Sequence, residues 1–463
     1  MIVFVHRKDL RIADMPAFTY ISRKGSKSLH LFVLDPVILS ERRTEAASGR
    51  HFMAMLARLQ ELYRREGAKL NVVYGAPEEI IPQAALLHEA CEVVVHRDDT
   101  PYARQRDGKL EKTLWRLGIP LTVLSDQPLA EPDEFHRYAG RQTPYKVFTP
   151  YYRKWSEFVR DTFQPPSAVS LRQLTTASLH ESLADAYRSP FRIEPLPNEE
   201  SMTEPERALG AFVGSKLSDY ADRRDWYATD ATSGLSAYIN TGAISIRTVY
   251  ESMLEGETYE AWRRQLAWRD FYLYQSALDP LFFRYERHFD LSILSDRHVD
   301  AWSRAETGIP IIDAAMTQLN ETGRMPNRLR MVTAMFLTKN LLAPFPFGES
   351  LFRHRLADAD NVLNRGGWLW SASLGFDAAP YFRIMNPESQ SRQWDPAGEY
   401  IRRWLPQLRA FSDRDIHRPL PHAIVDLKAS RARAIDVYKQ ILSSAGAMQR
   451  EVDEKEPEPG SAL

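Results

Sequence analysis

Five short apolar runs, separated by stretches of helical periodicity, restrict the chain up to Leu124 to one kind of architecture. Ile2–His6, Leu29–Leu34, Leu70–Tyr74, Glu92–His96 and Leu121–Leu124 are rich in Val, Ile and Leu. Nearly continuous apolar strands, as opposed to alternating ones, belong to a parallel sheet covered on both faces by helices. Between the runs, Phe52–Arg65 sets Phe52, Met55, Leu56, Leu59, Leu62 and Tyr63 on one helical face and meets a stop at Gly67. Pro77–Ala90 and Ala103–Leu117 read the same way. Such a sheet offers a ligand crevice beyond the carboxyl ends of its strands. It contains no GxGxxG and no P-loop, so an ordinary dinucleotide site is not expected.

The pattern then changes. Phe163 to Pro205 is rich in Pro and Ser, as in Gln164-Pro165-Pro166-Ser167 and Glu194-Pro195-Leu196-Pro197, and suits a connection between domains. From Glu204 onward the β pattern disappears, and long helical segments carry many Trp, Phe, Tyr and Arg residues. Glu451–Leu463 is charged and Pro-containing and is expected to be disordered. The predicted divisions are an α/β Rossmann-like domain over 1–130, a connector over 131–203, an all-α domain over 204–445 and a tail over 446–463. No internal repeat is evident.

Composition matters here mainly for what it excludes. No apolar run reaches the roughly 20 residues of a membrane helix, and the opening MIVFVHRKDLR lacks the layout of a signal peptide. The lone Cys91 rules out an internal disulfide and Cys-rich metal sites, and its apolar setting predicts a buried, inert thiol. A cytoplasmic monomer is expected. The formal net charge is -1, so binding to nucleic acid would have to come from a local basic patch. HExxH, CxxC and GxSxG are all missing, and His residues lack ligand spacing.

The densest chemistry lies in Asp358–Pro387, DADNVLNRGGWLWSASLGFDAAPYFRIMNP. Gly366 and Gly367 predict a tight bend or close approach to something flat. Trp368 and Trp370 each need a partner for the indole N–H if buried. Thr232-Ser233-Gly234-Leu235-Ser236 sets hydroxyls around a glycine, which suits a phosphate or simply opens a helix.

Taken with Tyr220–Asp225, Gln265–Tyr272, Asn327–Met331 and Pro144–Pro150, these segments resemble the photolyase/cryptochrome family in order and spacing over nearly the whole chain. The closest resemblance is to its class I-like enzymes for cyclobutane pyrimidine dimers. This implies FAD, reduced in the active form, in the helical half. Thr232, Ser233, Gly234, Leu235 and Ser236 would hold the diphosphate, with Tyr220 and the cation of Arg269 nearby, and Trp262 and Gln265 also belong to the implied cofactor site. Arg330 and Asp358 would pair beside the isoalloxazine ring, Asp360 would meet its pyrimidine edge, and Asn364 would face N5. Asn at that point favours repair over the Asp or Cys of photoreceptor branches.

The resemblance further implies that Trp268 and Trp370 stack on a flipped-out lesion, with Gln265, Asn327 and Met331 lining its pocket. Such stacking contributes roughly 1–3 kcal/mol per base. Arg224, Arg328 and Arg383 align with positions at the DNA phosphates or the lesion rim. Three departures stand out. Gln265 occupies the position where dimer enzymes have Glu, a feature of the branch acting on 6-4 photoproducts, whereas Asn327 and Met331 oppose that branch; a lower repair yield is expected. Of the electron-transfer tryptophans, Trp368 matches the flavin-proximal member, but Phe345 and Ser292 take the other two places, leaving Trp370, Trp394 or nearby Tyr residues as a substitute route. His6 stands where an aromatic is usual, in a domain implied to hold an antenna pigment, a folate first, then a deazaflavin or second flavin, or none. The alternatives carried forward are a cryptochrome-like blue-light photoreceptor and a 6-4 photolyase.

Overall fold

The computed structural model describes residues 1–40, 42–194, 199–253 and 259–453. Its first part is the anticipated parallel sheet. Strands β1 (Ile2–His6), β2 (Ser28–Leu34), β3 (Asn71–Tyr74), β4 (Glu92–His96) and β5 (Leu121–Leu124) run in the order β3-β2-β1-β4-β5. A sixth strand, β6 (Thr176–Ala177), comes from the Pro-rich stretch and pairs parallel with Ser28 and Leu29 of β2. The expected connector is therefore partly built into the sheet, and short helices at Glu181–Ala186 and Glu199–Met202 follow it. At the far end, the last helix, Leu427–Asp453, continues through residues assigned to a disordered tail; residues 454–463 lie outside the described ones.

Side chains leave the sheet in two directions, and each direction finds its own core. Val3, Val5, Leu29, Leu31, Val93 and Val95 pack on one face against Ile80, Ala84, Leu110 and Leu114 of the covering helices. Phe4, Phe32 and Val94 point the other way, into a cluster that runs on through Tyr151 and Trp155 to Leu235, Tyr238, Trp262 and Phe271. The second face of the sheet and the helical half thus share one apolar core. A separate helical core gathers Trp302, Ile312, Leu329, Phe345, Trp368 and Tyr400.

Charged groups reinforce that seam. Arg11 donates to Asp126 at 2.5 and 3.0 Å, to the carbonyl of Asp14 at 2.8 Å and to the carbonyl of Gly242 at 3.2 Å. Arg247, from the helical half, reaches Asp14 at 2.8 Å and Asp126 at 3.2 Å. The Leu10 amide donates to Thr241 at 3.1 Å. Gly242 is required there twice over: its φ is +68°, and a Cβ would lie 2.1 Å from the Lys8 carbonyl oxygen. His6 is buried in the same region, bonded to Asp9 at 2.9 Å and Tyr63 at 2.6 Å, so it serves as a polar core residue.

Cys91 corrects its expected burial. It is exposed, because it precedes β4 at the amino edge of the sheet, with its amide on the Met1 carbonyl at 2.8 Å. No helix among the described residues is long and apolar enough to cross a membrane.

Burial acting alone would push the Asp126 carboxyl up, but Arg11, with His96 and Arg247, holds it down at about 2. A depressed carboxylate stabilises the fold fully above its ordinary pKa, and that stabilisation fades as pH falls from about 4 toward about 2. Asp126→Asn should lower stability at neutral pH, because Arg11 loses its buried partner. It should also flatten the decline between those two pH values. Unfolding midpoints measured across the range check this; an equally steep decline in the variant contradicts it.

Candidate functional site

Three distant segments converge on the start of the helix Asn361–Ser371. Asp360 caps it, its side chain accepting from the amides of Val362 at 2.9 Å and Leu363 at 3.0 Å. Just before it, Asp358 accepts from Arg330 with both oxygens at 3.0 Å and from the Ser236 hydroxyl at 2.6 Å. Burial raises the Asp358 carboxyl, but Arg330 and Ser236 outweigh it and keep the group below the ordinary range. Arg330 is aimed by a bond from Nε to the Met325 carbonyl at 2.9 Å. Asn240, which sequence reading missed, fastens the loop by donating to the Ala359 carbonyl at 2.7 Å. The expected Arg330–Asp358 pair is present, and it brings Ser236 of the hydroxyl-rich segment to the same place.

That segment, Thr232–Ser236, is a loop leading into the helix Ser236–Thr241. Thr232, Gly234 and Ser236 are exposed, Ser233 is half-buried, and Leu235 anchors the segment in the core. Beneath it, Tyr220 packs edge-on to Trp262 at 5.3 Å. The Trp262 Nε1 and Asn240 Oδ1 atoms are buried with no partner among the described residues. Arg269 lies on the seam between the helical half and the sheet. Both its terminal nitrogens are held by Gln127, at 2.6 and 2.7 Å. Its charge still acts on Asp360, which also lies 3.8 Å from Lys8.

The double glycine does not bend the chain; both residues are helical. Gly366 meets a flat partner inside the protein, since a Cβ there would lie 2.3 Å from the Tyr272 ring, while a Cβ on Gly367 would meet nothing within 4 Å. Asn364 donates to the Glu349 carbonyl at 2.9 Å, which fixes its amide and leaves its oxygen free to accept. Arg365, unremarked in the sequence, is buried between Glu349, at 2.7 Å, and Glu286. Trp368 is buried, and its ring fills the space that a Cβ on Gly348 would need.

Residues assigned to the lesion lie on nearby surfaces. Trp268 is half-buried, with one face stacked on Phe148 at 3.8 Å and 7°. Trp370 is half-buried, and its carbonyl accepts from Ser373 and Ala379. Gln265 is half-buried and donates only weakly, to the Ala261 carbonyl at 3.3 Å. Asn327 is exposed and touches the Met331 sulfur at 3.7 Å. Arg383 is exposed, and Arg224 lies over the Tyr220 ring. Arg328 is already engaged by Asp225 at 2.6 Å and lies over the Trp394 ring at 4.7 Å. No cluster of His, Cys, Asp and Glu able to hold a metal occurs among the described residues.

Gly366→Ala should destabilise by roughly 1–3 kcal/mol, because the Tyr272 ring must move. Gly367→Ala should be neutral or stabilising by up to about 1 kcal/mol, since the site is helical and open. Denaturant unfolding of the two variants distinguishes them; equal effects would mean that the Tyr272 contact has no energetic weight.

The chain is similar to known proteins over nearly its whole length. Residues 2–169 match the family model described as DNA photolyase, and residues 262–450 match the FAD binding domain of DNA photolyase. The deoxyribodipyrimidine photo-lyase of a Synechococcus species is 33% identical, covering 98% of this chain and 99% of the relative. That of Alkalihalophilus pseudofirmus is 34% identical, covering 94% and 96%. Among solved structures, a class III photolyase from Agrobacterium tumefaciens superposes with a TM-score of 0.81 at 27% identity, covering 96% of this chain and 98% of that one. An archaeal photolyase from Sulfolobus tokodaii, solved with two FAD molecules, has a TM-score of 0.79 at 26% identity, covering 95% and 100%. The residues present fit FAD: exposed hydroxyls for its phosphates, unpartnered polar atoms on Trp262 and Asn240, and a paired Asp358 that adds no isolated charge.

Proposed function

We propose a repair function for this chain, which belongs to the DNA photolyase family: it splits cyclobutane pyrimidine dimers in ultraviolet-damaged DNA. The observation that carries this reading is the convergence of Ser236, Arg330, Asp358 and the Asn364 helix on one cradle. When bound and reduced, FAD supplies a light-driven electron to the dimer and regains it after the ring opens, so the reaction is a lyase with no net redox change.

The chain's own tasks are binding and orientation. The dimer must leave the stack, at a cost of a few kcal/mol. Trp268 offers the ring face not covered by Phe148, and Trp370 offers a second half-buried ring. Gln265, Asn327 and Met331 supply polar and polarisable contacts to the bases. Arg383 and Arg224 face the phosphates. Arg328 must exchange Asp225 for a phosphate oxygen to join them, which gives it less net affinity than a free guanidinium. Asn364 presents a neutral acceptor to the flavin without adding charge. Thr232, Ser233, Gly234, Leu235, Ser236, Tyr220 and Trp262 hold the remainder of the cofactor, and Arg269 contributes its field through Asp360.

The divisions at 130, 203 and 445 belong to this proposal, as do a folate antenna on the sheet domain, a monomeric state and a cytoplasmic location. The two separate family-model matches, over residues 2–169 and 262–450, support two functional parts. Gln265 favours a second reading, a 6-4 photolyase.

Purified, chemically reduced protein under blue light should repair a thymine-dimer oligonucleotide and leave a 6-4 oligonucleotide intact. Loss of the 6-4 product alone would move the enzyme to the other branch. If neither changes with FAD bound, the photoreceptor reading takes its place. Trp268→Ala or Trp370→Ala should weaken binding to damaged DNA by roughly 1–3 kcal/mol while sparing undamaged DNA. Equal losses would make the rings structural. Gln265→Glu should raise the repair yield per absorbed photon; an unchanged yield would mean that the amide serves as well as the carboxyl.

A further inference from the structure

On the proposed function, a bound flavin that has become oxidised acts again only once it is reduced, and Trp368, read as the ring beside the flavin, is the protein's first donor for that electron. Its radical cation then needs a neighbour that can fill the hole. The course through helix Phe345–Arg355 is closed. Phe345 is far harder to oxidise than Trp, and the buried Arg365 guanidinium lies 5.0 Å over its ring, which further disfavours positive charge there. Neither Trp370 nor Trp394 has a ring contact with Trp368 among the described residues. Trp302 does. Its ring centroid lies 6.2 Å from that of Trp368 at 79°, and Phe352 touches both, at 5.1 Å from Trp368 and 6.1 Å from Trp302.

We propose that Trp302 is the second electron donor of this protein, replacing the route that Phe345 and Ser292 interrupt. One electron passes from Trp368 to light-excited, oxidised FAD, and one from Trp302 to the Trp368 radical cation. The Trp302 Nε1 donates to the Thr333 carbonyl at 3.2 Å. A carbonyl is no base for the indole proton, so the hole stays on Trp302 as a protonated radical cation. A soluble thiolate returns the electron and becomes a thiyl radical. Trp302 is buried, but its helix, Val299–Ser303, exposes Asp300 and is followed by exposed Arg304, so solvent is one layer away. The step is separate from dimer splitting, which needs only flavin that is already reduced.

The inference rests on reading Trp368 as the ring beside the flavin, and the test separates the two. Oxidised holoenzyme is illuminated with blue light and dithiothreitol, and flavin absorbance is followed in the native protein and in Trp368→Phe, Trp302→Phe and Trp302→Tyr. Flash absorption gives the lifetime of the tryptophan radical. The expected result is loss of most photoreduction in both Phe variants, partial recovery in Trp302→Tyr, and a shortened radical lifetime in Trp302→Phe. Repair by chemically reduced Trp302→Phe should remain native. If Trp368→Phe photoreduces normally, the reading of Trp368 fails. If Trp368→Phe loses photoreduction but Trp302→Phe keeps the native rate and radical lifetime, the role of Trp302 is overturned. Equal loss in the Tyr and Phe variants with an unchanged radical lifetime overturns it as well.

Discussion

The buried lattice of Arg11, Asp14, Asp126 and Arg247 is the interaction on which the arrangement of the molecule depends. Two guanidiniums and two carboxylates share one desolvated seam: the Asp126 carboxylate is bonded from both halves of the chain, by Arg11 and Arg247, and Asp14 takes Arg247 on its carboxylate and Arg11 on its backbone carbonyl. Ion pairs of this kind add little to stability relative to well-packed apolar residues, but removing one member leaves an uncompensated buried charge. Their value lies in register. They fix where Thr241 and Gly242 meet Leu10 and Arg11, and so where the neighbouring Ser236–Thr241 helix places Ser236 and Asn240. Those two residues hold Asp358 and Ala359, which open the helix bearing Asn364, Trp368 and Trp370. A contact beyond the carboxyl ends of the strands thereby sets the geometry of a site built from helices.

Around the proposed flavin position, the fold arranges charge in balanced sets. Asp358 faces Arg330, Asp360 faces Lys8 and the field of Arg269, and Glu349 and Glu286 share Arg365. Burial penalises each group alone; pairing makes each tolerable. Asn364 sits among these pairs as a neutral hydrogen-bonding group, oriented through the backbone of Glu349.

Much of this was legible in the sequence, and the misses have physical causes. The strand cores announced themselves because continuous Val and Leu runs have few other uses; each of the five was located to within one residue. β6 escaped notice because two residues carry no periodicity. The Gly366–Gly367 pair suggested a bend, yet tertiary packing against Tyr272 explains the first glycine within an unbroken helix. Cys91 looked buried beside Glu92–His96, but burial of that edge depends on what lies beyond the sheet, which no local pattern reports. Arg330–Asp358 was found through motif order. Arg365 and Trp302 were not, because their meaning comes from contacts with Phe345 and Trp368, distant in sequence.

The core that passes from the second face of the sheet into the helical half bears on how the chain is made. During synthesis the helices Pro16–Lys24 and Ala47–Arg65 emerge between the strands and lay Phe18, Met55, Leu56, Leu59 and Tyr63 on the face that carries Phe4 and Phe32. Tyr151 and Trp155, and then Trp262 and Phe271, join the same cluster only later. Until those residues leave the ribosome, the apolar side chains they will cover have no partner. That unfinished core is a natural binding surface for a holdase chaperone and a point at which slowed translation would favour aggregation.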